Sequence, residues 1–266
     1  KHIFGQEVFM IDLLNSVLNR DDKITKLTYN PTESIPEYKD GKKVIFDLKC
    51  TTQSGEIFVV EMQYSYQVYF RDRALYYMAR NLSSQLVNGD SRAEKPPYGL
   101  NPVYGIFLTC FKLDKEPRVM RDIVLCDRLN EYQQFSDRLR MIFLELPALK
   151  SPEECDTDMK KWIYVINNYR TMETMPFTDD KPIFKQLEEK AKLHALTPAE
   201  QELYEADFMN YWAYTGSMEY AEMKGRAEGE AKGIFSAALK LIKEKGWSIA
   251  EAASFFGIPE SELVQY

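Results

Sequence analysis

Histidine is almost missing from this 266-residue chain, with His2 and His194 the only two. A Ser-His-Asp triad or a His-rich metal site therefore has almost no material to be built from. Cysteine is scarce as well. Cys50, Cys110, Cys126 and Cys155 are widely spaced without a C-x-x-C pair, which argues against a zinc cluster or a disulfide framework. Free thiols in apolar, strand-like surroundings suit a reducing compartment, so cytoplasm is the expected location. No run approaches the ~20 apolar residues that cross a bilayer, and no basic start followed by an apolar stretch marks a signal peptide. The chain opens on Lys1 rather than Met, so residues ahead of it are expected. Positive charge is in deficit, with 34 Lys and Arg against 41 Asp and Glu and a net charge of −7. That excludes coating nucleic acid by bulk electrostatics and leaves room for a local basic groove. No phosphate-binding glycine loop is present either.

What is there reads as a folded protein. An apolar share of 45% with 28% charged residues is ordinary for a globular chain, and the length allows one sizeable core with an appended helical module. The densest information lies between Lys43 and Tyr64. The runs VIFDLKC and EIFVVEMQ are rich in β-branched and aromatic residues and are separated by Gln53, Ser54 and Gly55, so they read as a hairpin. With Gly55 in the left-handed position of a three-residue loop, Thr52 faces Glu56 and the register is set. Counting back places Asp47 opposite Glu61. Alternation then puts Ile45, Asp47 and Lys49 on one face with Ile57, Val59, Glu61 and Gln63. Two like charges roughly 5 Å apart at Cβ destabilise each other unless something compensates. A divalent cation does so naturally, because Mg²⁺ takes one or two carboxylates plus water and phosphate oxygens.

An Asp at the end of one strand, a hairpin, and a Glu two residues before position 63 together resemble the PD-(D/E)XK nuclease signature. The wider context FDLKCTTQSGEIFVVEMQ, with RDRALYYMARNLSSQL after it and KHIFGQEVFMIDLLNSVL before it, is similar to the transposase-associated, recombination-promoting branch of that superfamily. One position departs, since Gln63 stands where the superfamily usually has Lys. The resemblance implies a restriction-endonuclease-like α/β fold, a mixed sheet flanked by helices, and Mg²⁺- or Mn²⁺-dependent hydrolysis of DNA linked to recombination or mobile elements. It assigns Asp47 and Glu61 as metal ligands and Gln63 as a group orienting water or a phosphate oxygen; without the usual lysine the expectation is a slower nuclease, or one in which Lys49, on the Asp47 face by alternation, substitutes. An amide cannot replace a lysine outright, because it brings no charge and does not titrate.

Around the hairpin, Phe9, Met10, Leu13, Leu14, Val17 and Leu18 recur at helical spacing over residues 7–18. Glu7 at the start of that helix is a first-turn acid favoured by the helix dipole, or an extra acidic group for the metal site. Residues 21–43 read as an early edge strand plus loop. A helix is expected over 66–88, with Arg73, Tyr77, Arg80 and Ser84 on one face. Beside a metal site, Arg73, Tyr77 and Arg80 can hold phosphates; a solvated face with a packed Tyr is the competing reading. The near-continuous apolar run PVYGIFLTCFKL predicts a strand buried on both sides, and RDIVLC and RMIFLEL predict two more.

Three regions follow: a nuclease-like core over 1–150, a helical region packed on it over 151–216, and a tail over 217–266. In the second region, Ser151, Pro152 and Glu154 read as cap, first-turn Pro and capping-box acid, and Thr197, Pro198 and Glu200 repeat that grammar. Another helix is expected at 184–195. Tyr204, Phe208, Tyr211, Trp212 and Tyr214 are expected in a helix core rather than as a base-stacking platform. In the tail, Gly225, Gly229 and Gly233 at intervals of four predict either close approach of a partner helix, hence a homo-oligomer, or a weakly helical linker. Ser248 and Glu251 form a capping box ahead of a helix-turn-helix-like end whose second helix is acidic, so packing is expected of it before DNA reading. Two readings compete with the nuclease: a catalytically silent module of the same fold that binds nucleic acid or protein, and an oligomerising scaffold.

Overall fold

A computed structural model of the chain describes residues 3–34, 44–45, 47–86, 98–169, 171–191 and 198–263, without the side chains of 33–34, 44–45, 191, 198–215 and 262. His2, His194 and Thr197 lie outside the described residues, as do the side chains of Glu200, Tyr204, Phe208, Tyr211, Trp212 and Tyr214. Two compact units result, Lys1–Ala195 and Leu196–Tyr266.

The first unit opens with helix α1 (Glu7–Leu18), whose buried residues are the six of the apolar stripe. Strand β1 (Leu27–Tyr29) follows, then the short β2 (Glu33–Ser34) and β3 (Val44–Ile45), which pair only with each other. The hairpin is formed by β4 (Leu48–Thr52) and β5 (Ile57–Gln63). Its register runs from Leu48 opposite Val60 to Thr51 opposite Ile57, as the turn chemistry requires. Gly55 takes φ +84°, and its N–H donates to the Thr52 carbonyl at 3.0 Å. Of the single strand expected over residues 44–50, Val44 and Ile45 pair with β2 and β4 begins at Leu48.

Helix α2 (Phe70–Ser83) is shorter than expected at both ends, so residues 64–69 form a connection rather than helix. Then come β6 (Val103–Thr109), β7 (Met120–Asp127) and β8 (Gln133–Glu145). All seven residues of β6 are buried, as an interior parallel strand demands. The sheet order is β1-β4-β5-β6-β8-β7, with β5, β6 and β8 parallel and the outer strands antiparallel. This is a mixed six-stranded sheet flanked by helices, consistent with a restriction-endonuclease-like α/β fold.

Alternation splits the core between the two faces. Cys50, Phe58, Val60, Ile106, Leu108, Ile142 and Leu144 point to α1 and to two later helices, α3 (Asp158–Asn168) and α4 (Pro182–Ala191). Trp162 of α3 is fully buried there and donates its indole N–H to Asp12 at 2.6 Å. Asp12 also receives Lys181 at 2.7 Å, tying the segment that enters α4 to α1. The capping pattern expected at Ser151 does not start a helix: residues 152–154 form a single 3₁₀ turn without a side-chain cap. The helix begins at Asp158 behind Thr157, whose hydroxyl accepts from the Lys160 N–H.

On the other face Phe70, Ala74 and Met78 of α2 pack on Val103, Phe107, Leu139 and Phe143. Gly105 allows this approach, since a Cβ there would stand 2.6 Å from Met78 Sδ. One helix therefore lies directly over the face that carries Asp47 and Glu61.

In the second unit α5 (Pro198–Lys245) is one helix of 48 residues rather than two, followed by α6 (Ile249–Phe256) and α7 (Glu260–Leu263). Ser248 and Glu251 make the expected capping box, and Gly257 ends α6 at φ +66°. Ala238, Ala252, Ala253 and Leu263 form its small core. Nothing stands within 4 Å of where a Cβ would sit at Gly225, Gly229 or Gly233. Among the described residues no helix is long and apolar enough to cross a membrane.

Candidate functional site

The site sits where the β4–β5 ladder ends. Beyond the last pair, Leu48 opposite Val60, the next opposed residues are Asp47 and Glu61, and their side chains take over the backbone donors. The Asp47 N–H donates to Glu61 Oε1 at 3.1 Å, and the Met62 N–H donates to Asp47 Oδ2 at 2.8 Å. The expected like-charge strain is thus partly offset inside the protein, because backbone dipoles stabilise each anion before any cation arrives. Both residues are half-buried.

Gln63 follows two residues later on the same face. Its carboxamide oxygen accepts a short hydrogen bond from Arg73 Nη2, and its Nε2 donates to the Ser65 carbonyl at 3.1 Å. The arginine neighbour dictates that orientation, since guanidinium has no acceptor. Arg73 also donates to Gln67 Oε1 at 2.6 Å and lies 5.6 Å and 5.9 Å from the ring centres of Phe70 and Tyr77. The position that lacks a lysine is therefore coupled to an arginine from α2, and a fixed positive charge stands beside the acid pair. No sequence signal carried this link, because it depends on α2 folding back over β5.

Tyr77 packs on Val59 between these groups. Burial pushes its hydroxyl up, Arg73 works against that, and the Glu61 and Asp47 carboxylates push it up further, so one tyrosine feels all three. Lys49, opposite Val59 on the same face, is half-buried, and loss of hydration pulls its ammonium below the usual lysine range. Asp47, Lys49, Glu61, Gln63, Arg73 and Tyr77 are accordingly brought together. Arg80 lies further along α2, half-buried.

Glu7 is not brought to this group. Its Oε1 accepts from the Leu27 N–H at 2.7 Å, and Leu27 faces Thr52, five residues along β4 from Asp47, or roughly 17 Å at strand rise. Its partner is the first amide of β1, which an edge strand leaves without a ladder bond.

Among the described residues no cluster of three or more His, Cys, Asp or Glu side chains is poised for a metal. Two carboxylates are what Asp47 and Glu61 offer. That donor set is hard, anionic and incomplete, which fits a cation such as Mg²⁺ that keeps several waters and takes the rest of its shell from a phosphate. It does not fit a closed structural zinc site.

In a comparison with known protein families, residues 1–221 match a family described as PD-(D/E)XK nuclease family transposase. No curated protein and no solved structure matches the chain.

Proposed function

The chain belongs to the PD-(D/E)XK nuclease family of transposases, and from that premise we propose that it is a metal-dependent endonuclease that hydrolyses phosphodiester bonds in DNA at the Asp47–Glu61 pair. The observation that carries this reading is the opposed acid pair itself, held by its own backbone amides with Arg73 locked to the neighbouring Gln63. Asp47 and Glu61 would hold Mg²⁺ or Mn²⁺. Such an ion, when bound, polarises the phosphodiester and lowers the pKa of a water.

The protein's own groups divide the remaining work. Arg73 matches phosphate oxygens and supplies the fixed charge that position 63 does not, while Gln63 holds its guanidinium in place. Lys49 adds a second, partly dehydrated cation on the same face, where it stabilises charge building on the phosphate. Tyr77 walls the site with its ring. A link to recombination or mobile elements, and a homo-oligomer through the exposed Gly-spaced stretch of α5, belong to the same reading.

The test uses the whole purified chain. Asp47→Ala and Glu61→Ala are expected to lower Mg²⁺- or Mn²⁺-dependent nicking of plasmid DNA by about a thousandfold while circular dichroism stays unchanged. Full activity in either folded variant sinks the proposal. Absence of calorimetric Mn²⁺ binding in the folded, unaltered protein would instead favour a silent module of the same fold.

A further inference from the structure

The connection between β5 and α2 exposes three tyrosines and a valine. Tyr64, Tyr66, Val68 and Tyr69 are 45%, 50%, 77% and 74% exposed, directly after Gln63. Beside them runs the segment joining β6 to β7, residues 110–119. It is anchored to the site by the Cys110 N–H donating to the Gln63 carbonyl at 2.9 Å. Arg71 holds it a second time, through the Leu113 carbonyl at 3.0 Å and Asp114 at 2.6 Å. Tyr66 meets Phe111 edge-on at 5.5 Å, so the two segments touch. The second one exposes Lys112, Lys115 and Arg118.

Exposed apolar surface of this extent marks a contact site, and three features choose its occupant. Lysine is depleted in protein–protein interfaces, whereas a row of rings beside a row of cations is what a polyanion with stackable bases needs. Lys112, Lys115 and Arg118 share the segment with Asp114 and Glu116, but Asp114 is already paired with Arg71 and Arg121, which leaves the cations in excess on a chain whose net charge is −7. The rim is also continuous with Glu61 and Gln63 through the chain itself. Rings can stack only on bases whose faces are free, and a duplex interior offers none.

Resting on the nuclease reading for the choice of DNA, we propose that this rim holds a single-stranded stretch of DNA beside the acid pair. Its bases lie on Tyr66 and Tyr69 and its phosphates on Lys112, Lys115 and Arg118. The substrate is then a frayed end, overhang or flap rather than continuous duplex.

Fluorescence anisotropy of labelled oligonucleotides with the full chain in EDTA measures binding without cleavage. A single strand is expected to bind at least about tenfold tighter than its blunt duplex, and Tyr66→Ala with Tyr69→Ala to remove about tenfold or more of that affinity. The Phe replacements keep it. Lys112→Ala with Lys115→Ala should flatten the salt dependence by about 1.4 in log–log slope. Equal or tighter duplex binding by the unaltered protein overturns the proposal, as does unchanged affinity in the Tyr→Ala pair. Tighter binding of RNA of the same sequence overturns the assignment to DNA. A change in oligomeric mass without a change in affinity gives the rim to a second copy. The two readings fail separately: Asp47→Ala protein keeps this binding if only catalysis is lost, and an active nuclease that prefers duplex loses only the rim.

Discussion

The two ends of the β4–β5 hairpin each carry carboxylates at least partly withdrawn from water, and they handle them in opposite ways. At the turn end Glu56, 8% exposed, receives both guanidinium nitrogens of Arg20 at 2.5 and 2.7 Å, together with the Thr52 and Ser54 hydroxyls at 3.3 and 3.1 Å. Its charge is neutralised within the fold. At the open end Asp47 and Glu61 oppose each other with backbone amide donors, and the neighbouring arginine, Arg73, is bonded to Gln63 rather than to either acid in a bidentate pair. The same strand pair thus builds a structural carboxylate and, roughly 17 Å on by strand rise, a pair suited to an external cation. A carboxylate matched by a bidentate arginine has little left for a ligand, whereas two acids sharing backbone amides retain a strong field for one.

Breaking the turn end should cost the fold, and breaking the open end should not. Glu56→Ala strands Arg20 and is expected to lower unfolding free energy in urea by about 2 kcal/mol, a figure below that for a fully buried pair because Arg20 is partly exposed. Glu61→Gln, which relieves like-charge opposition, should stay within about 0.5 kcal/mol of the unaltered protein. If Glu61→Gln destabilises as much as Glu56→Ala, the contrast fails.

A finer test concerns the arginine at the open end. Arg73→Met is expected to reduce cleavage by roughly ten- to a hundredfold with little change in stability, and Lys49→Met by less. A larger loss for Lys49→Met would move the main charge from α2 to β4.

The smallest effect is in acid. The Arg20 hydrogen bonds hold the Glu56 carboxyl below its usual value of 4.5. Folding therefore has the full contribution of this pair above that value and loses it as pH falls toward the lower folded-state value. Stability measured against pH should drop less steeply in Glu56→Gln than in the unaltered chain over that acid range; parallel curves would remove Glu56 from the account.

How much of this was legible beforehand depends on the range of the interaction. The hairpin register followed from Gly55 and the spacing of two strands, which fixed the opposition of Asp47 and Glu61 before any packing was known. The six buried residues of α1, the two-sided burial of β6 and the Ser248–Glu251 box were equally local. The pattern at Ser151 misled because a first-turn proline starts a 3₁₀ turn as readily as a helix, and the Ser151 side chain makes no cap there. Glu7 is the first-turn acid of α1, one of its two readings, but an acid at a helix start carries no record of which amide it will meet.

By itself, then, the sequence determined the strand pair, its facing acids and the missing lysine, since alternation and turn stereochemistry act over a few residues. Only the tertiary structure decided that α2 lies close enough, over Gly105, for Arg73 to reach Gln63, and that Glu56 rather than Glu61 receives Arg20. Those contacts join residues on separate elements, and layer packing sets their distances.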